Sequence, residues 1–99
     1  MDRVISIDGV PIRLTEERWF HIVENHDDMA GHYDAVLETV ADHNLVLPGY
    51  RCSLIAVRNY ARQRYLFAIY RRVRSDDGFV ITAYFSCKVN RKKAIWKRT

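Results

Sequence analysis

The sequence predicts a single α+β domain over residues 1–99, with two N-terminal helices packed on an antiparallel β-sheet meander. Two stretches in the first half carry the 3.6-residue apolar period of amphipathic helices. From Leu45 onward the period changes to short runs rich in β-branched and aromatic residues, separated by turn signals. The length of 99 residues and the hydrophobic content of 48% allow one core and one domain. This order favours a layer of helices on one sheet face.

A short β-hairpin is predicted ahead of the first helix. Residues 4–7 and 10–14 are apolar-rich and flank Asp8-Gly9, a pair that suits a two-residue type I′ turn. Pro11 lacks a backbone N–H, so the second arm of this hairpin belongs at a sheet edge.

Two helices are predicted next, over residues 16–26 and 32–41. Thr15 is the expected N-cap of the first helix, and acidic residues follow it in the first turn. His26 falls within the apolar stripe of this helix, which directs it towards the sheet. The other members of the stripe are Trp19, Phe20, Ile22 and Val23. The stripe of the second helix comprises Tyr33, Val36, Leu37 and Val40.

The strands of the meander are predicted from β-rich runs and turns. They are a short strand at Val46-Leu47 and longer ones over 53–60, 65–73 and 79–86, with a hairpin turn at Ser75-Asp76-Asp77-Gly78. In the last strand, alternation predicts an apolar face of Phe79, Ile81, Ala83 and Phe85 and a mixed polar face of Val80, Thr82, Tyr84 and Ser86. Beyond it, the apolar residues among the basic ones of 88–98 predict that the C-terminal segment packs on the domain.

The charge is divided sharply along the chain. Residues 1–57 hold four basic and ten acidic side chains, a net charge of −6, whereas residues 58–99 hold twelve basic and two acidic ones, a net charge of +10. A positive field concentrated on one part of a surface favours encounters with phosphate backbones, so RNA is the expected partner. Two alternatives stay open: a solvated basic surface, and self-association of the acidic half with the basic half of another copy.

Several classes of protein are excluded or disfavoured. No apolar stretch is long enough to span a membrane, and the N-terminus lacks the plan of a signal peptide, so a cytoplasmic protein without membrane contact is expected. Cys52 and Cys87 have no partner at zinc-ligand spacing, and we expect no metal or other cofactor. The sequence contains no Walker loop, GxGxxG, HExxH or Gly-flanked nucleophilic Ser.

The remaining side chains suit RNA cleavage without a metal ion. The RNA 2′-hydroxyl supplies the nucleophile, so the protein need only move protons and neutralise phosphate charge. His26 is the candidate acid or base, with a hydrogen-bonded core histidine as the alternative. Arg58 and Lys88 are candidates for phosphate binding, and Thr82 and Tyr84 for orienting a phosphate or hydroxyl; each also has a purely structural interpretation. Non-specific backbone affinity is assigned to Arg62, Arg64, Arg91, Lys92 and Lys93.

The order of features also resembles a known group of nucleases. A helix with His21-Ile22-Val23-Glu24-Asn25-His26 precedes strands Ile55-Ala56-Val57-Arg58-Asn59-Tyr60 and Tyr65-Leu66-Phe67-Ala68-Ile69-Tyr70. The closing strand Gly78-Phe79-Val80-Ile81-Thr82-Ala83-Tyr84-Phe85 is the most specific part. Over about residues 12–97 the chain resembles the phage-associated branch of the barnase–EndoU–colicin–RelE-like nuclease superfamily.

The resemblance implies a barnase/RelE-like fold and a metal-independent ribonuclease, acting on RNA such as tRNA. It also implies a toxin of a phage or mobile element, with an antitoxin or immunity protein as partner. Position by position it points to His26, Arg58, Thr82, Tyr84 and Lys88. The chain departs from the pattern at His26-Asp27-Asp28, where a sequence closer to His-Pro-Glu is expected. The alternative function is a non-catalytic nucleic-acid- or protein-binding module with a basic C-terminal surface.

Overall fold

The structure is a computed structural model that describes residues 2–98, within which the chain forms two α-helices and one seven-stranded sheet. The elements in chain order are β1 (Asp2–Ile5), β2 (Pro11–Leu14), α1 (Glu16–Asn25), α2 (Tyr33–Ala41), β3 (Leu45–Pro48), β4 (Leu54–Ala61), β5 (Arg64–Arg74), β6 (Asp77–Ser86) and β7 (Trp96–Lys97). The α+β class is confirmed. Neither of these helices is long and apolar enough to cross a membrane.

The strands lie in the order β1-β2-β6-β5-β4-β3-β7. The predicted antiparallel meander from β3 to β6 is confirmed, since each of these strands pairs with the next. Three features of the prediction are wrong. The arm that contains Pro11 is not at a sheet edge, because β2 lies between β1 and β6. The sheet is only mostly antiparallel, because β2 pairs in parallel with β6. The helices are not both N-terminal, because β1 and β2 precede them and belong to the same sheet.

The N-terminal hairpin joins the sheet through a close contact. Gly9 has φ of +85° in the turn, a left-handed conformation that glycine adopts without steric cost. The second arm then aligns Ile12 with Gly78 and Arg13 with Phe79. A Cβ at Gly78 would lie 2.5 Å from Ile12 Cδ1, so the absence of a side chain at Gly78 lets β2 approach β6.

The face of the sheet covered by α1 and α2 is called here the helix face. Thr15 caps α1 as predicted, its Oγ1 accepting a hydrogen bond from Arg18 N at 3.1 Å. Buried apolar side chains from both helices and from β2, β4, β5 and β6 form the main core against this face. Phe20 is the error in the predicted stripe, because its side chain is 65% exposed.

The opposite face of the sheet is called here the open face. It carries a second apolar cluster of Leu45, Leu47, Val57, Phe67 and Ile69. Val89 and Ala94 from the C-terminal segment pack against this cluster, and β7 adds to β3. The prediction that the C-terminal segment packs on the domain is therefore confirmed.

A β-bulge in β6 overturns part of the predicted alternation. Ile69 pairs with Thr82 while Tyr70 pairs with Val80, so Ile81 is an extra residue without a partner. Val80 therefore joins Ala83 in the core of the helix face, and Ile81 packs on the open face. The prediction had Ile81 and Val80 exchanged, whereas the alternation from Ala83 to Phe85 is as expected.

Candidate functional site

One end of the sheet brings together most of the predicted site residues. The chain turns from β4 into β5 at Arg62 and Gln63, and β6 runs antiparallel to β5 and ends beside the start of that strand. The C-terminal end of α1 and the N-terminal end of α2 reach the same place, because His26 and His32 both contact the last residues of β6. This region is called here the β6 end.

His26 and Tyr84 meet at the β6 end on the open face. His26 is the half-buried residue that follows the last residue of α1, and its ring centroid lies 5.5 Å from that of Tyr84. The Tyr84 ring in turn lies 5.3 Å from the Phe67 ring, with the planes 30° apart. The prediction placed His26 within the first helix, in the apolar stripe that faces the sheet. Instead α1 ends at Asn25, and His26 follows it with non-helical backbone angles and meets the sheet from the open face. Its catalytic role stays a prediction.

The environment of Tyr84 keeps its hydroxyl protonated. Burial raises the pKa of Tyr84 above its usual value near 10. At neutral pH the phenol can therefore donate a hydrogen bond, and it does not supply a phenolate base. Thr82 precedes it by two residues and pairs with Ile69 of the open-face cluster. The two predicted orienting residues therefore share one face with His26.

Lys88 lies just beyond the β6 end. Its backbone N–H donates to Ser86 Oγ at 3.2 Å, and its carbonyl accepts from the same hydroxyl at 2.9 Å. This local loop fixes the backbone position, while the Lys88 side chain is exposed. An ammonium group in such a position can meet a phosphate close to the last residues of β6.

Arg58 does not converge with His26 and Tyr84. It pairs with Leu66, a core residue of the helix face, so its side chain is on the other side of the sheet from Tyr84. Its guanidinium donates to Glu38 of α2 at 3.3 Å. The two residues line a hollow of about 200 Å³ together with Ala35, Thr39, Asn59 and Tyr60.

The basic residues predicted to bind the RNA backbone are all exposed. Arg64 places its guanidinium carbon 4.0 Å from the ring centroid of Phe85, and Arg91 lies 5.8 Å from that of Tyr65. These contacts bring both arginines to the β6 end. Arg62 lies in the β4–β5 turn, and Lys92 and Lys93 follow Arg91 in a 3-10 turn.

Sequence reasoning missed a second cluster on the helix face of the β6 end. His32 Nδ1 and the Tyr60 hydroxyl lie 3.0 Å apart, and both rings pack edge-on against Phe85 with centroids 5.1 Å away. His32 alone gave only a weak signal, because it stands on the margin of the predicted stripe. The alternation that places Tyr60 beside Arg58 on one face of β4 is the signal that could have found it.

The four histidines of the chain occupy separate environments. His21 is exposed on α1, and His43 is 2% exposed and packs against Trp96. His26 and His32 lie on opposite sides of β6. Within residues 2–98, no three His, Cys, Asp or Glu side chains cluster closely enough to hold a metal ion.

Comparison of the chain with family models, curated proteins and solved structures gives no significant match. The resemblance to the nuclease superfamily therefore depends on the sequence features quoted above. A function for the chain has to be argued from the geometry and charge of the β6 end, since a fold by itself does not define a function.

Proposed function

We propose that the chain is a small metal-independent ribonuclease whose active site lies at the β6 end. The contact of His26 with Tyr84 is the observation that carries this proposal. It places an imidazole, a group that can move protons, against the half-buried ring of a tyrosine whose hydroxyl is neutral. The helix layer on one face of a four-stranded antiparallel meander also supports a barnase/RelE-like grouping of the fold.

The proposed reaction is attack of an RNA 2′-hydroxyl on the adjacent phosphate. The bond from O2′ to phosphorus forms as the bond from phosphorus to O5′ breaks, leaving a 2′,3′-cyclic phosphate and a 5′-hydroxyl. One proton leaves O2′ and one is delivered to O5′; His26 carries out one of these two transfers and solvent water carries out the other. Tyr84 and Thr82 orient the phosphate through their hydroxyl groups, and Lys88 stabilises the charge that builds up on it.

The charge around the β6 end suits a polyanionic substrate. Arg64 and Arg91 are held there by contacts with aromatic rings, and Lys88 lies two residues after the end of β6. Arg62, Lys92 and Lys93 extend the exposed basic surface. Arg58 fits less well in the catalytic role than in substrate binding, because Glu38 pairs with it on the helix face.

The biological setting follows from the resemblance alone. A toxin of a phage or mobile element, acting in the cytoplasm on RNA such as tRNA, is the setting in which we place this activity. An acidic antitoxin or immunity protein that covers the basic β6 end is the partner that this setting requires. Charge complementarity would then raise both the association rate and the specificity of the complex.

Incubation of the protein with total RNA and with tRNA in excess EDTA tests the proposal. Wild-type protein should cleave both and leave 2′,3′-cyclic phosphate ends, and His26→Ala should not. His21→Ala is the matched control, because His21 is an exposed histidine on the same helix and should be dispensable. Thermal unfolding and RNA affinity of each variant, measured in parallel, separate loss of chemistry from loss of fold or binding.

The alternative function is a binding module without catalysis, and the exposed basic residues at the β6 end favour it as a second candidate. It predicts salt-sensitive RNA binding without any cleavage. Equal cleavage by wild type and His26→Ala would instead remove His26 from the active site. A large drop in the melting temperature of His26→Ala would identify His26 as a core residue.

A further inference from the structure

We infer that His32, Tyr60, Phe85 and Arg64 form a nucleotide-binding subsite for single-stranded RNA. This inference rests on the proposed function, because the subsite would hold a nucleotide that neighbours the phosphate cleaved at His26 and Tyr84. The four residues come from four places in the chain: His32 precedes α2, Tyr60 is near the end of β4, Arg64 begins β5 and Phe85 is near the end of β6. They are called here the helix-face cluster.

The geometry of the cluster holds polar groups on an aromatic surface. The His32 Nδ1 and the Tyr60 hydroxyl are 3.0 Å apart, which fixes the orientation of both rings and leaves His32 Nε2 for another partner. His32 and Tyr60 also pack edge-on against the Phe85 ring, and this packing holds both side chains in place. Arg64 lies 4.0 Å above the Phe85 ring and adds a positive charge.

Two residues of the helix-face cluster are exposed to solvent and can therefore contact a ligand. Phe85 packs against the main core, whereas Tyr60 keeps 42% of its surface exposed and Arg64 is also exposed. Proteins bind single-stranded nucleic acids with aromatic rings and arginine side chains on a positively charged surface. Their bases stack on the rings and their phosphates meet the cation.

A hollow next to Tyr60 offers space for a base. It measures about 200 Å³, and the polar residues that line it are Glu38, Thr39, Arg58 and Asn59. The Arg58 guanidinium can donate hydrogen bonds to the carbonyl oxygens and ring nitrogens of a base edge, in competition with the Glu38 carboxylate. A base that contacts the Tyr60 ring could therefore insert its edge into the hollow. This assigns Arg58 to recognition of the RNA.

The subsite and the proposed active site flank the same strand. Tyr84 and Phe85 are consecutive residues of β6, so their side chains emerge on opposite faces. An RNA strand that passes around the β6 end would meet His26 and Tyr84 on one side and the helix-face cluster on the other. Arg62 and Lys88 lie beyond the ends of the strands, where the backbone between the two nucleotides would cross.

Titration of the wild-type protein with a single-stranded 2′-O-methyl RNA pentamer, followed by NMR, tests the inference. This probe lacks the nucleophilic 2′-hydroxyl and is not cleaved by the proposed reaction. The ring signals of His26 and Tyr84 report on the proposed active site, and those of His32 and Tyr60 report on the subsite. We expect both pairs to shift with the same dissociation constant.

The outcomes separate the two proposals. Shifts at His26 and Tyr84 alone would overturn the subsite and leave the ribonuclease proposal standing. Shifts at His32 and Tyr60 alone would support the subsite and count against an active site at His26. A pentamer that shifts neither pair would overturn both, and an acidic peptide that shifts the cluster in its place would identify a protein-binding surface.

Variants provide a second measurement. Tyr60→Ala should weaken binding of the pentamer about tenfold, as expected for loss of one stacked base. In cleavage assays it should raise KM and leave kcat unchanged, because the subsite does not touch the reacting atoms. Tyr50→Ala is the matched control, since Tyr50 is a 79% exposed tyrosine outside the β6 end. An unchanged affinity for Tyr60→Ala would contradict the subsite.

Discussion

The rings of His26 and Tyr84 lie 5.5 Å apart although one residue follows the end of α1 and the other belongs to the sheet. The contact is made where β6 has no partner strand on its outer side, because β2 pairs only with Gly78 and Phe79. The end of α1 can therefore reach around that side of β6 to the open face. This arrangement places an imidazole beside a neutral phenol, and the first prediction concerns that phenol.

Replacing Tyr84 by Phe should lower kcat for RNA cleavage by about tenfold. The ring contacts with His26 and Phe67 are kept, and one hydrogen bond to the reacting phosphate is lost, worth about 1–1.5 kcal/mol. Burial raises the pKa of Tyr84, so the hydroxyl keeps its proton and can donate a hydrogen bond throughout the neutral pH range. Steady-state kinetics with a short RNA measures the effect, and Tyr50→Phe is the control. An unchanged kcat would restrict Tyr84 to packing.

Arg58 and Glu38 should have opposite effects on RNA affinity. Arg58→Ala removes a cation from the hollow beside Tyr60 and should raise KM several-fold with kcat nearly constant. Glu38→Ala releases Arg58 from its ion pair and removes a negative charge, so KM should fall. Both changes should alter the free energy of unfolding by less than about 1 kcal/mol, since the pair is exposed. A large loss of kcat in Arg58→Ala would return it to the catalytic role.

The salt dependence of RNA binding should identify which basic residues contact phosphate. For a single-stranded ligand, each phosphate contact contributes roughly 0.7 to the slope of log K against log salt concentration. Arg64→Ala should reduce the slope by about that amount. Arg72→Ala is the matched control, because Arg72 pairs with Asp8 at the other end of β5. Equal salt-dependence slopes for both variants would indicate that the RNA is attracted by diffuse surface charge and does not follow a defined path over the protein.

Local features were predictable from the sequence because their signals are local. Thr15 begins α1, and four β-rich runs gave the meander from β3 to β6 in the correct order. The parallel pairing of β2 with β6 was not predictable, because it depends on Ile12 approaching Gly78 across 65 intervening residues. No residue type signals the bulge at Ile81, which comes from the pairing of β5 with β6.

The candidate site was predictable in part for the same reason. Alternation placed Tyr84 on the mixed polar face of the last strand, and this is the face it occupies. Helical periodicity placed His26 on the other side of the sheet, and the two residues meet because α1 ends at Asn25, one residue before His26. Arg58 was a candidate for phosphate binding, but its ion-pair partner Glu38 lies 20 residues earlier on another element. His32 and Tyr60 form a hydrogen bond across 28 residues, which no spacing rule indicates.

Gly78→Ala should destabilise the domain by about 2 kcal/mol through overpacking. The new methyl group would lie 2.7 Å from the Arg71 carbonyl oxygen and 2.5 Å from Ile12 Cδ1. Urea unfolding measures the loss, with Ser75→Ala in the exposed turn as the control. Adding Ile12→Val should relieve the contact with Cδ1 but not that with the backbone. A loss below about 0.5 kcal/mol would show that β2 moves away from β6 easily.

The buried His43 should make the stability of the domain fall in mild acid. Burial lowers the pKa of His43 below its usual value of 6.5, against the opposing effect of backbone hydrogen bonds. Its Nδ1 lies 2.9 Å from the Thr39 carbonyl, and its buried Nε2 has no hydrogen-bond partner among the described residues. Protonating Nε2 would place an unpaired donor and a charge in the core beside Trp96.

The sign of the effect follows from proton uptake. Above pH 6.5 His43 is neutral in both states and adds no pH dependence. As the pH falls below 6.5, His43 binds a proton in the unfolded chain but stays neutral in the folded chain because its pKa there is lower. The free energy of unfolding therefore decreases. This single group contributes at most about 1.4 kcal/mol per pH unit.

Urea unfolding between pH 7.5 and pH 5 measures this slope, and comparison with His43→Gln isolates the contribution of His43. Gln keeps an amide donor for the Thr39 carbonyl but does not titrate, so the variant should be less stable at pH 7.5 and should lose less stability on acidification. His21→Gln is the matched control at an exposed site and should keep the wild-type slope. If His43→Gln also kept that slope, protonation of His43 would not be linked to unfolding, and the unpaired Nε2 would be satisfied by water or by local opening of the C-terminal segment.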